Sequence, residues 1–162
     1  MATFRVIHGP QKYHDDGTYA DLIRYVTSPQ KVRPGGVIGA AVLPEVAELA
    51  MEAVTAAYHK ENGVKLRHTV LSFDSEEQMD FQTAKVVAQK IMKFYDPRYQ
   101  LIGAIHEDKP HLHIHFLMNS TNYRTGRKYY GTKQDYYANL KYINTVTEEH
   151  GIHTIAAKGE TE

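Results

Sequence analysis

The sequence predicts an α+β fold: a central, largely antiparallel β-sheet packed with α-helices, in a two-layer or three-layer sandwich. Two patterns carry this expectation. Long segments whose apolar residues recur every 3.6 positions are mixed with short segments of period two. Two of the short segments are separated only by Glu107-Asp108-Lys109-Pro110, a connection that suits a hairpin and is too short for a parallel crossover. No internal repeat or low-complexity linker divides the chain, so residues 1–162 read as one domain.

In order, Thr3 to His8 reads as a strand. Asp15-Asp16-Gly17 reads as a turn, with Thr18 capping a short helix through about Tyr25. Pro29 and Pro34-Gly35-Gly36 make a loop. A long helix follows Pro44, with Val46, Leu49, Ala50, Ala53, Val54, Ala57 and Tyr58 as its apolar face and Gly63 as its end. Leu66 to Phe73 is a strand, presenting Thr69, Leu71 and Phe73 on one face and His68, Val70 and Ser72 on the other. Ser75 and Gln78 form a capping box for a helix that buries Ala84, Val87, Ala88, Ile91 and Tyr95 and stops before Pro97. Leu101 to His106 and His111 to Met118 are the hairpin strands. Thr121 to Gly131 is a basic, tyrosine-rich loop or short hairpin. Tyr136 to His150 is the last helix, with Leu140 and Ile143 inward and Gly151 capping it, and Ile152 to Ile155 is a final strand.

Composition excludes several classes. Apolar residues at 42% and charged residues at 23% rule out fibrous and wholly disordered chains. The absence of cysteine removes disulfide frameworks, thiolate zinc sites and cysteine nucleophiles. No apolar run approaches the ~18 residues of a membrane span, and the N-terminus lacks a signal-peptide pattern. A cytoplasmic protein is expected. The net charge is zero, so any grip on nucleic acid rests on local charge. That charge gathers in residues 124–133, which hold Arg124, Arg127, Lys128 and Lys133 and no anion, and around Arg24, Lys31 and Arg33.

The informative segment is 106–119, His-Glu-Asp-Lys-Pro-His-Leu-His-Ile-His-Phe-Leu-Met-Asn. Alternation in a strand sends His111, His113 and His115 to one face and Leu112, Ile114, Phe116 and Met118 to the other. The hairpin brings His106 beside this row. Three neutral imidazoles converging from two strands, with coordination positions left over, suit a divalent cation. Asp108 is placed to accept the second ring hydrogen of a ligand.

With these residues in view, the chain resembles the plasmid mobilisation relaxases of the histidine-hydrophobe-histidine (HUH) endonuclease superfamily. His106-x-Asp108 followed by His113-x-His115 and Asn119 resembles the family's third motif. Leu22-Ile23-Arg24-Tyr25-Val26-Thr27, with Lys31 after it, resembles the first, and Arg67-His68-Thr69-Val70-Leu71-Ser72-Phe73 the second. Thr125-Gly126-Arg127-Lys128 and Glu148-Glu149-His150-Gly151 resemble its downstream stretches, so the likeness spans roughly residues 20–153.

The resemblance implies Tyr25 as nucleophile and His106, His113 and His115 as ligands of one divalent cation. Mn²⁺ is the first choice, with Mg²⁺ or Zn²⁺ as alternatives. Asp108 orients a histidine or takes the tyrosine proton. Ser72, Arg24, Lys31, Arg124, Arg127 and Lys128 contact DNA, and His111, at a variable position of the motif, supports the ligands from behind or touches a phosphate. The implied activity is nicking and rejoining of single-stranded DNA at an origin of transfer through a 5′-phosphotyrosine, in conjugative plasmid mobilisation. The implied partners are that DNA, accessory relaxosome proteins and a coupling protein, with the chain itself a monomer. The loop after Tyr25 is expected to swing over the histidine face. Family members often continue into a further C-terminal domain or tail; this chain, ending at Glu162, is expected to be either a minimal or a shortened member.

Three other readings compete. A rolling-circle replication initiator or single-tyrosine transposase would place its nucleophile downstream, at Tyr136 or Tyr137. A metal-stabilised nucleic-acid-binding module would bind single strands without cutting. A metal-dependent phosphoesterase would use water and leave no covalent adduct.

Overall fold

The structure, a computed structural model, describes residues 1–8 and 17–157; the expected turn at Asp15-Asp16 lies outside them. Strand β1 (Ala2–Ile7) is followed by helix α1 (Thr18–Val26), strand β2 (Val37–Ala40), helix α2 (Ala47–Ala57) and strand β3 (Leu66–Phe73). Helix α3 (Phe81–Met92), strands β4 (Leu101–His106) and β5 (His113–Asn119), helix α4 (Lys133–Glu148) and strand β6 (Thr154–Ala156) follow among the described residues. One six-stranded sheet runs β2-β4-β5-β3-β1-β6. Its neighbours are antiparallel except β1 and β6.

Both faces of the sheet are covered, so the sandwich has three layers. On one face, Ala84, Val87, Ala88 and Ile91 of α3 and Ile143 and Val146 of α4 pack on Phe4, Leu71, Phe73, Ile114, Phe116 and Met118. On the other, Tyr19, Ile23 and Val26 of α1 and Ala47 and Met51 of α2 pack on Leu66, Ile102, Ala104 and Leu117. Each fully buried Leu, Ile, Phe or Met contributes about 1.5–3 kcal/mol relative to exposure, which makes these two seams the main source of cohesion. A buried polar knot fastens the second layer. Asn119 Oδ1 accepts from Tyr19 Oη, and Asn119 Nδ2 donates to the Met51 carbonyl and to Gln100 Oε1. The Thr55 hydroxyl shares hydrogen bonds with those of Tyr19 and Thr121.

Several local expectations are corrected. Helix α2 buries Ala47, Met51 and Thr55 rather than the stripe through Leu49, which is 70% exposed. Small Ala47 and hydrogen-bonded Thr55 allow close approach, and the polar knot outweighs the hydrophobicity of Leu49. A three-residue 3-10 turn, Pro44–Val46, precedes this helix, and it ends before His59, whose φ of 57° carries the chain away well ahead of Gly63. Thr18 is the first residue of α1, with Gly17 at the cap and no side-chain capping bond. The cap of α3 is Asp80, whose carboxylate accepts from Thr83 N at 2.7 Å, because Ser75–Glu77 is a separate 3-10 turn and Gln78 has φ 51°. Helix α4 starts at Lys133, capped by the Thr132 hydroxyl, and Gly151, with φ 74°, ends it as expected. Strand β2 is an addition to the expected elements: four residues at the sheet edge, paired with β4, leave little periodicity to read.

Candidate active site

Pairing between strands decides which side chains share a face. Residues directly opposite in antiparallel strands point the same way. His106 pairs with His113 and Ala104 with His115, while His113 and His115 also pair with Ser72 and Val70 of β3. Ile114, Phe116 and Met118 alternate into the core beneath. The face therefore gathers His106, His113, His115, His68 and Ser72. The rings of His106 and His115 stack with centroids 3.9 Å apart, and His113 and His68 lie 6.3 and 5.1 Å from His115. His111 is not in this row. Strand β5 begins at His113, and His111 is an exposed residue of the preceding turn.

The hydrogen bonds of the rings assign their nitrogens. His106 Nε2 is 2.7 Å from the Val26 carbonyl, an obligate acceptor, so Nε2 carries the hydrogen and Nδ1 the lone pair. His115 Nδ1 is 2.8 Å from His68 Nε2. Burial lowers every pKa in the group: His115 to about 2, with repulsion from His106, His68 and His113 adding to it, and His68 to about 4. His106 and His113 are lowered as well, burial again being the main cause. All four are neutral at neutral pH, as ligation requires. In donor type and protonation the set fits a divalent cation, with the rings of His106, His113 and His115 as its donors. In these rotamers, no three His, Asp or Glu side chains among the described residues converge on one point.

Tyr25 stands on the last turn of α1, 54% exposed. The neighbouring Val26, fully buried, supplies the carbonyl that takes the His106 hydrogen, so the end of this helix is fastened to the histidine face. Lys31 Nζ lies 5.0 Å from the Tyr25 ring centroid and 3.6 Å from Asp108. Asp108 makes no hydrogen bond to a histidine among the described residues; that position on His115 is taken by His68. The loop after Tyr25 is braced rather than poised to swing. Arg33 grips Glu107 through two 2.7 Å bonds, Glu107 N donates to the Lys31 carbonyl, and Ile105 N donates to that of Gly36.

The remaining candidates are dispersed. Arg24 pairs with Glu48 at 3.4 Å. Arg124 and Arg127 sit exposed on a short hairpin closed by the Thr121–Lys128 bridge, beyond the end of β5 remote from His113. Lys128 directs its ammonium to the carbonyls of Val64 and Lys60, and burial, with Lys65 and Lys60 nearby, lowers its pKa to about 8. Tyr136 packs on Phe4, on the opposite face of the sheet, and Tyr137 meets Tyr136 edge-to-face. Two residues of the face escape the sequence reading, His68 and Arg5. Arg5 pairs with Val70 and therefore joins the histidine side. Alternation sets their faces within their own strands, but the β1-β3-β5 order that joins those faces is not visible in the sequence.

Comparison with known proteins follows the same lines. A family model described as relaxase, MobA/VirD2-like, nuclease domain matches residues 25–152. A protein rlx of Staphylococcus aureus is 33% identical over 97 residues, covering 60% of this chain and 30% of the relative. Another protein rlx of that species is 30% identical over 111 residues, covering 67% and 34%. The protein TraI of Escherichia coli is 29% identical over 122 residues, covering 69% and 16%. The chain thus spans about a third of the length of the first two relatives and less of the third. A solved structure from work on the molecular basis of vancomycin resistance transfer in Staphylococcus aureus superposes with a TM-score of 0.67. It covers 98% of this chain and 99% of the other at 11% identity, a likeness of fold.

Proposed function

This chain belongs to the MobA/VirD2-like relaxase family as a nuclease domain, and on that premise we propose that it nicks single-stranded DNA at an origin of transfer and can rejoin it, with Tyr25 as the nucleophile. The Tyr25 phenol oxygen attacks the scissile phosphorus, a Tyr–O–P bond forms, and the P–O3′ bond breaks. The 3′ oxygen leaves with a proton as a free hydroxyl, and the 5′ end stays on the protein as a phosphotyrosine. Because one phosphoester replaces another, the 3′ hydroxyl can reverse the step.

A phenol with a pKa near 10 is a reluctant nucleophile at neutral pH. Lys31 lies beside the Tyr25 ring, its ammonium 5.0 Å from the ring centroid. Asp108, paired with Lys31 at 3.6 Å, is the proposed acceptor of the phenol proton. His106, His113 and His115, all neutral, would hold the divalent cation, Mn²⁺ as first choice, which neutralises charge on the phosphate when bound. Ser72, opposite His113, presents a hydroxyl to the same phosphate region. Arg24, Lys31, Arg124, Arg127 and Lys128 are the proposed cationic contacts to the flanking strand.

The observation that carries this reading is the bond from His106 Nε2 to the Val26 carbonyl, which fastens the residue after Tyr25 to the histidine face. Tyr136 and Tyr137, the nucleophiles of the replication-initiator alternative, lie across the sheet from that face. No described helix is long and apolar enough to cross a membrane. We place the chain in the cytoplasm as a monomer, working with accessory relaxosome proteins and a coupling protein. The test is incubation with Mn²⁺ and single-stranded oligonucleotides of the cognate transfer origin, followed by mass spectrometry of the DNA-linked peptide. An adduct on Tyr25, and a fall of several orders of magnitude in cleavage for Tyr25→Phe, is the expected result. An adduct on Tyr136 or Tyr137 transfers the role to α4. Hydrolysed ends with no adduct make water the nucleophile.

A further inference from the structure

The contact between His68 and His115 joins a β3 residue that no step above uses to the centre of the histidine face. Two neutral imidazoles share one hydrogen across such a contact, so one ring donates and the other accepts. If His115 donates from Nδ1, its Nε2 keeps a lone pair. If it accepts at Nδ1, its hydrogen sits on Nε2 and the lone pair is spent on His68. Which nitrogen of a ligand histidine is available is set by the bond that its other nitrogen makes.

We propose that His68 is a positioning residue for this site: it accepts the Nδ1 hydrogen of His115 and so fixes the tautomer whose Nε2 lone pair is open to a cation. The geometry supports the contact directly. The ring nitrogens are 2.8 Å apart, and His68 is only 4% exposed, which leaves its ring little freedom to swing away. His68 pairs with Leu117, two residues along β5 from His115, so the two imidazoles are diagonal neighbours on one sheet face. His106 stacks on the far side of His115 and spends its own Nε2 on Val26, so His68 is the ring that acts on His115 Nδ1. The consequence for nicking rests on the relaxase reading above; the contact between the two rings rests on geometry alone.

The test uses the full chain and two variants. His68→Gln keeps an acceptor in its amide oxygen, whereas His68→Leu removes it at similar bulk. Ring-nitrogen NMR of the ¹⁵N-labelled, chelator-treated protein reads the His115 tautomer without any cation. The expected result is hydrogen on Nδ1 in the wild type and His68→Gln, shifting toward Nε2 in His68→Leu. Calorimetry with Mn²⁺ should show affinity about 10–100-fold weaker in His68→Leu and largely restored in His68→Gln. A wild-type His115 that carries its hydrogen on Nε2 overturns the proposal, as does wild-type Mn²⁺ affinity in His68→Leu. Loss of Mn²⁺ stoichiometry in both variants makes His68 a ligand and overturns it as well. If His68→Leu fails to fold by circular dichroism, the wild-type tautomer still decides. A wild-type protein with the expected tautomer but no DNA adduct sinks the nuclease reading alone, and an adduct with the opposite tautomer sinks this proposal alone.

Discussion

His106 does two jobs that its neighbours do not. Its ring stacks on that of His115, and its Nε2 satisfies the carbonyl of fully buried Val26. Truncating His106 therefore removes a proposed ligand and also strands a buried acceptor, a loss of about 1–3 kcal/mol. Among the described residues, His113 and His115 make no such side-chain bond to the backbone. In urea titrations of the cation-free protein, His106→Ala should lose roughly that amount, and His113→Ala should stay close to the wild type. In calorimetry, His106→Ala, His113→Ala and His115→Ala should all lose Mn²⁺ uptake. Full Mn²⁺ stoichiometry in both His113→Ala and His115→Ala would remove them from the ligand set. Equal stability of His106→Ala and His113→Ala would show that the Val26 bond contributes nothing.

Strand order turns a row of three histidines into a two-dimensional face. The β4–β5 part of that face is legible in the sequence, because a short turn joins the strands and alternation sets which residues project. Its extension to His68, Ser72 and Arg5 comes from the β5-β3-β1 order, set by contacts distant in sequence. The α2 stripe misleads because hydrophobicity favours Leu49, while Thr55 is buried by hydrogen bonds to Tyr19 and Thr121, partners a periodicity plot does not contain. The basic segment is legible as charged, but its distance from the histidines is hidden. Thr121 follows the end of β5, eight positions from His113, roughly 3.3 Å each.

Charge on the sheet face and charge on the hairpin therefore make separable contributions to DNA binding. Removing one cation that touches a phosphate should reduce the salt dependence of single-strand binding by about 0.7 in log–log slope. Arg5→Gln should do so from the histidine face, and Arg124→Gln with Arg127→Gln from the hairpin. Lys128→Ala should in addition lower stability, because its ammonium also serves the carbonyls of Val64 and Lys60. Fluorescence anisotropy across a salt series reads the slopes, and urea titration reads the Lys128→Ala stability. An unchanged slope for Arg5→Gln alongside a reduced one for the hairpin pair would send the strand past the end of the sheet rather than across it.

For the whole molecule, gathering neutral histidines under partial burial has a cost that pH exposes. In the unfolded chain each histidine takes up a proton near pH 6.5. In the fold, burial and mutual repulsion hold His68 to about 4 and His115 to about 2. Above about pH 6.5 neither state is protonated at these rings, and their contribution to stability is intact. As pH falls through that value, the unfolded chain binds protons that the folded one lacks, so stability declines. The decline ends near pH 4 for His68 and continues to about 2 for His115. Each ring should contribute a loss of about 2 kcal/mol between pH 7.5 and pH 5, a window above most carboxylate titrations. Denaturant unfolding in the presence of a chelator measures it without interference from a bound cation. His68→Gln and His115→Gln should each flatten the curve by about one histidine's share, since glutamine takes up no proton. A wild-type stability flat across this window would mean that the rings protonate within the folded state, and that the histidine face is wetter than its packing implies.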